Sequence, residues 1–116
     1  MKFERELLKG LAPVVVLEIL ARGAMYGYEL SEAVEQRSGN ILTLGRGTLY
    51  PLLYNLEAKG LIQAEWQQMD NGRKRRYYQI TGKGREKLAS QKEQWQQLQQ
   101  AANLVFGFAG PGLATA

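Results

Sequence analysis

Four consecutive cations, Arg73-Lys74-Arg75-Arg76, are the densest chemistry in the sequence. Side chains of one sign at that spacing repel one another unless an anion lies against them, so the run points to a polyanionic partner. A merely solvated basic tip is the alternative. Arg76 is the member expected to differ, because it falls on a strand rather than at the tip. A second group lies upstream, where Arg46, Thr48, Tyr50, Tyr54 and Asn55 share the polar side of one stretch. Arginine suits a phosphate, and asparagine can bond both edge groups of an adenine. Exposed asparagines also occur with no partner, and Tyr50 and Tyr54 could belong in part to the core. Trp95 is the third point of interest. It could be the aromatic of a helix-to-helix seam or the flat wall of a small-molecule pocket, and the two are compatible.

Other chemistries are removed by composition. The chain has no histidine and no cysteine, and Asp70 is its only aspartate. Imidazole bases, thiolate nucleophiles, disulfides and nearly all zinc or copper sites are therefore absent from expectation. Carboxylate-bound magnesium is disfavoured too. Residues 46–85 hold only Glu57, Glu65 and Asp70 as acids, none of them clustered. No enzyme activity, metal or cofactor is expected. The same region carries eight basic residues, a net +5, whereas residues 1–45 net −1 and residues 86–116 net 0. The positive field is local, as a footprint for nucleic acid should be.

The elements that position these residues can be read from periodicity. Arg46 to Gly60 reads as a helix, with Leu49, Leu52, Leu53 and Leu56 on one face and the polar group on the other. Pro51 belongs in a first turn, which places the start near Gly47 or Thr48 with Thr48 as cap, and Gly60 ends the helix. Upstream, Phe3 to Lys9 reads as a short amphipathic helix, with a break at Gly10 and Pro13 before a buried helix that ends at Gly23. Tyr26 to Ser38 is a further helix, stopped by Gly39-Asn40. Ile41 to Leu44 reads as a small strand. After Gly60 the period becomes 2, over Ile62 to Gln67 and Tyr77 to Ile80, around an Asn71-Gly72 type I′ turn. Thr81 caps a last helix whose apolar positions Leu88, Trp95, Leu98, Ala102 and Val105 form a narrow seam. The longest apolar run, Leu11 to Leu17, is far short of the roughly 20 residues of a membrane span. The N-terminus lacks a secretory pattern, and a cysteine-free chain fits the cytoplasm.

This order predicts a mainly α (α+β) fold, a winged helix-turn-helix with a long C-terminal helix. Residues 1–81 would form the DNA-binding domain with its N-terminal arm, residues 82–106 the long helix and residues 107–116 a flexible tail. The third helix would enter a major groove and the hairpin cations would meet phosphates. The sequence resembles the PadR-like transcriptional regulators. The resemblance rests on Tyr26-Gly27-Tyr28-Glu29-Leu30, Gly47-Thr48-Leu49-Tyr50-Pro51-Leu52-Leu53, Leu56-Glu57-Ala58-Lys59-Gly60-Leu61-Ile62 and Arg75-Arg76-Tyr77-Tyr78, leading into Ile80-Thr81 and Gly84. It is nearest the short subfamily with a single C-terminal helix.

That resemblance implies a homodimeric repressor of a pseudo-palindromic double-stranded operator, with residues 82–106 as the C-terminal dimerisation helix, often relieved by a small aromatic or lipophilic effector. It also implies a position near DNA for Tyr50. Arg46, Thr48, Tyr50, Tyr54, Asn55, Arg73, Lys74 and Arg75 are the DNA-facing candidates. Phe3, Leu7, Leu8, Leu88, Trp95, Leu98, Ala102 and Val105 are the dimer candidates, and Trp95 doubles as the effector candidate. The competing reading is a winged-helix module that binds protein. It would call for an acidic or apolar outer face on the third helix and no basic wing.

Overall fold

The computed structural model describes residues 2–108. Four helices and a three-stranded antiparallel sheet follow one another as α1 (Arg5–Ala21), β1 (Met25–Tyr26), α2 (Gly27–Arg37), α3 (Arg46–Ala58), β2 (Ile62–Gln68), β3 (Lys74–Ile80) and α4 (Gly82–Phe106). The sheet order is β1-β3-β2. This is the mainly α, winged helix-turn-helix arrangement that the sequence predicts, with a long final helix. The expected 107–116 tail lies outside the described residues from position 109 onward.

α1 runs without a break from Arg5 to Ala21, with Pro13 inside it. The expected separation of Phe3–Lys9 from the buried helix is thus corrected. Proline in a helix interior costs about 3 kcal/mol or more. Burying one Val, Leu or Ile returns about 1.5–3 kcal/mol, and α1 buries Val14, Val16, Leu17, Ile19 and Leu20. Packing therefore outweighs the proline. The core continues through Leu30 and Val34 of α2, Leu44, and Leu49, Leu53 and Leu56 of α3 to Ile62, Tyr78 and Ile80 of the sheet.

The third strand is not where the sequence places it. Residues 41–45 have no regular structure, and the strand is Met25–Tyr26, paired with Tyr78 and Tyr77. Serines explain why Ile41–Leu44 stays out of the sheet. The Leu42 N–H donates to Ser38 Oγ at 2.9 Å, and Ser31 Oγ donates to the Leu44 carbonyl at 3.0 Å. Side chains thus satisfy backbone groups that a strand would have paired. α2 accordingly begins after Tyr26, which caps it together with Glu29. Gly39 and Asn40, both at positive φ, end that segment as expected.

α3 begins at Arg46, one or two residues earlier than its proline suggests. Gly45 is the N-cap, and Thr48 lies inside the first turn without capping it. Pro51 consequently falls in the second turn, where the carbonyl it cannot pair belongs to exposed Gly47 and is open to water. The C-terminal end is as read. Gly60 has φ +75, its N–H donates to the Glu57 carbonyl at 2.9 Å, and Leu61 N–H reaches back to Leu56 at 3.0 Å. This pair of bonds is a Schellman closure.

The hairpin tip also differs in detail. Gly72 alone has positive φ (+84), so the Asn71-Gly72 pair is not a type I′ turn. Gly72 N–H bonds Met69 O at 2.9 Å and Met69 N–H bonds Arg73 O at 2.7 Å. Those bonds define a three-residue loop with its glycine in the left-handed position.

α3, the hairpin and α4 meet at one junction. Thr81 Oγ1 accepts from Gly84 N–H at 3.0 Å, as the capping reading expects, and donates to the Gly60 carbonyl at 2.7 Å. Lys83 Nζ donates to the Lys59 carbonyl at 2.9 Å. A Cβ on Gly84 would sit 2.0 Å from the Leu61 carbonyl oxygen and 2.7 Å from Ile80 Cγ1. Gly84→Ala should therefore destabilise the fold by about 3 kcal/mol, the upper range for overpacking, despite alanine's better helix propensity. A urea midpoint equal to or above that of the parent chain would refute this close approach.

Candidate nucleic-acid interface

α3 divides its residues as its periodicity requires. Leu49, Leu53 and Leu56 are buried and Leu52 is half-buried, while Arg46, Gly47, Thr48, Tyr50, Pro51, Tyr54 and Asn55 are exposed. Tyr54 stands out with 69% of its surface accessible. Tyr50 is partly covered because its ring lies against the first residue of α2. A Cβ on Gly27 would come within 3.0 Å of Tyr50 Oη, so glycine here lets the tyrosine ring lie this close.

The wing follows from β2 and β3. Arg73, Lys74 and Arg75 are exposed, and Arg76 is half-buried. Among the described residues, Arg46, Arg73, Lys74 and Arg75 take part in no salt bridge. The Arg75 guanidinium lies 5.6 Å from the centre of the Tyr26 ring. Tyr26 stacks edgewise on Tyr77 at 4.8 Å and donates its hydroxyl to Gln67 Oε1 at 3.1 Å. Tyr26 and Gly27 are neighbours in the chain. A continuous path therefore runs from Tyr50 on α3, through Gly27 and Tyr26, to Arg75 on the wing.

Arg76 behaves as its strand position predicts. Its two terminal nitrogens donate to the two carboxylate oxygens of Glu57 at 3.1 and 3.0 Å. The guanidinium also lies 5.8 Å from the Trp66 ring centre and 5.9 Å from that of Tyr78. Among the described residues Arg76 Nε is buried with no hydrogen-bond partner. A buried donor left unpaired costs about 1–3 kcal/mol. Burial pushes the Tyr78 phenol above its usual titration range, with the neighbouring Arg76 pulling the other way.

Glu57 and Trp66 carry roles that sequence reasoning missed. Glu57 is the only acid on α3, and its charge is matched by Arg76. Trp66 alternates with Ile62 and Ala64, which suggests a core position, yet it is exposed. In the sequence Glu57 is marked only as the lone acid of the third helix, which does not name its partner.

The apolar seam candidates are divided as well. Leu88 is buried in the core of its own chain, and Trp95 packs half-buried against that core. Ala102 is half-buried, whereas Leu98 and Val105 are 61% and 81% exposed. On the N-terminal side Phe3 and Leu8 are half-buried and Leu7 is exposed. Trp95 lines an open cleft of about 510 Å³ with Leu11, Val14, Lys92 and Gln99. Among the described residues no cluster of carboxylates could hold a metal ion, and no helix is long and apolar enough to cross a membrane.

Three packed helices, a two-stranded wing and an added helix define a winged helix-turn-helix protein. Residues 16–90 match the transcriptional regulator PadR-like family, and the chain belongs to that family. It is a family of transcriptional regulators rather than enzymes. The chain is 31% identical over 94 residues to the transcriptional regulator Rv3488 of Mycobacterium tuberculosis, covering 81% of this chain and 84% of that one. It is similar to the crystal structure of the PadR-like transcriptional regulator BC4206 from Bacillus cereus, with TM-score 0.73, 32% identity, and coverage of 87% and 96%. It is also similar to a transcriptional regulator from Clostridium thermocellum, with TM-score 0.79, 25% identity, and coverage of 90% and 99%.

α4 is tied to α1 by charge. Glu18 accepts from Lys92 across the two helices and from Arg22 at 3.3 Å along its own. The hydrogen bond and charge of Lys92, aided by Arg22 and opposed by burial, hold the Glu18 carboxyl below its ordinary value of 4.5. A carboxylate depressed on folding adds stability above its unfolded pKa and loses it as pH falls through the folded one. Glu18→Gln should therefore lower Tm at neutral pH, and the gap to the parent should narrow as pH falls below 4.5. Thermal melts from pH 7 to 3 check this. A gap constant across the series would exclude the ionised pair as its cause.

Proposed function

We propose that this chain is a homodimeric, sequence-specific DNA-binding repressor that works in the cytoplasm. The observation that carries the reading is the contact path that joins the exposed α3 face, at Tyr50, to the wing, at Arg75, with Arg73, Lys74 and Arg75 in no salt bridge among the described residues. One protomer inserts α3 into a major groove. Thr48, Tyr50, Tyr54 and Asn55 face the base edges, Arg46 meets a phosphate and the wing follows the backbone. A second protomer repeats this about 34 Å along a pseudo-palindromic duplex.

The dimer is carried by the outer part of α4. Leu98, Leu104, Val105 and Phe106 are large apolar side chains left exposed on one projecting helix, and apolar exposure of that kind marks a partner surface. Trp95 and Ala102 continue the seam inward, and Phe3, Leu7 and Leu8 of the N-terminal arm flank it. Leu88 supports the seam from within the core. The cleft beside Trp95 is the place for a small aromatic or lipophilic effector that relieves repression. A protein-binding module is the weaker alternative, because α3 offers neither an acidic nor an apolar outer face.

Fluorescence anisotropy with the duplex upstream of the chain's own coding region, against a scrambled duplex and across a salt series, tests the reading. Tight binding that prefers the native duplex and strengthens as salt falls is the expected result. Equal weak binding to both would leave only a basic surface. Replacing Arg73, Lys74 and Arg75 together with alanine should weaken binding to every sequence and reduce the salt slope by about 3. An unchanged slope would remove the wing from the phosphates. Leu98→Asp should give monomers in analytical ultracentrifugation, and a persistent dimer would place the interface elsewhere.

A further inference from the structure

We propose that Glu57 and Arg76 form a positioning pair for sequence readout, fixing the wing against α3 so that both reach one duplex in a single register. The inference rests on the DNA-binding reading above. β1 pairs with Tyr77 and Tyr78 only, so from Arg76 outward the hairpin is a two-stranded ribbon with no third strand beside it. A ribbon of that kind holds its own direction poorly. Arg76 is the first residue beyond the three-stranded part, and it is the one from which a fork of two hydrogen bonds crosses to α3.

The surroundings suit orientation better than stability. Trp66 lies directly across the hairpin from Arg76 and gives its ring to the guanidinium while remaining 62% exposed. A tryptophan placed for core packing would be covered. A bidentate arginine–carboxylate contact fixes distance and angle together, as a lysine cannot. On the opposite face of the ribbon the Tyr26 hydroxyl holds Gln67. The wing is thus gripped on both faces at its root, while Arg73, Lys74 and Arg75 stay exposed beyond it.

The two ends of the pair give opposite charge changes, which makes the test decisive. Glu57→Gln releases a cation and Arg76→Gln releases an anion, each in the full-length chain. A merely electrostatic role predicts that the first tightens binding to all DNA and the second weakens it, with the native-to-scrambled affinity ratio unchanged. A positioning role predicts that both variants lower that ratio by about tenfold, the scale of one misread base pair. Arg76→Lys, which keeps the charge and loses the fork, should lower it similarly at an unchanged salt slope. Circular dichroism melts set the working temperature below every transition. Glu57→Gln, which preserves shape, decides the matter if Arg76→Gln does not fold. A parent chain that prefers its duplex, with variants that keep the same ratio, would overturn the positioning pair alone. A parent chain without preference would overturn the DNA reading itself.

Discussion

The close approach of α4 to the end of α3 is the constraint on which the molecule depends. Gly84 lies so near the Leu61 carbonyl that no side chain fits there. Around it, Thr81 and Lys83 bind the last carbonyls of the α3 segment, and Thr81 N–H reaches Leu61 O at 3.1 Å. Four elements share this point: the end of α3, the start of β2, the end of β3 and the start of α4. Because interiors are close-packed and resist compression, such a junction transmits rotation instead of absorbing it. The direction of α4 is thus set relative to α3.

Charge is distributed to match that frame. α3 exposes hydroxyl, amide and aromatic groups, and its one carboxylate is matched by Arg76. The remaining wing cations have no such partner among the described residues. Away from this surface the ionic links do mechanical work. Glu18 joins α1 to α4 through Lys92, at a place where the apolar packing between those helices thins toward the Trp95 cleft. On the proposed reading, one face of the molecule keeps its charge uncompensated for a polyanion, while the other uses paired charge to hold the dimer arm.

Much of this was legible in the residue order, and the failures have physical causes. The leucine face of α3, its Gly60 end, the Thr81 cap and the hairpin follow from local rules that tertiary packing does not oppose. Pro13 and Pro51 misled in the same way. Each marks a local cost, and each is outweighed by a buried face whose gain appears only once the neighbours are in place. The strand at Met25–Tyr26 is two residues long and has no period to detect. Ile41–Leu44 has strand composition, but two serines satisfy its backbone. At the site, exposed cations and polar helix residues could be named from sequence. The Glu57–Arg76 fork could not, because the partners lie nineteen residues apart on elements of different period.

A helix such as α4 is hard to account for in a lone protomer. Its buried residues are Gly84 and Leu88, both in its first two turns. Beyond them it continues to Phe106 with large apolar side chains exposed, at the end of a molecule 59 Å long and 30 Å wide. Isolated helical segments are marginal in water, and most helical stability comes from packing an amphipathic face. On the proposed reading a second copy supplies that packing. The same junction that fixes α4 to α3 then makes the crossing angle of the two α4 helices the quantity that sets the distance between the two α3 helices. On that reading an effector in the cleft beside Trp95, between α1 and α4, would act on that angle without altering the residues proposed to face DNA.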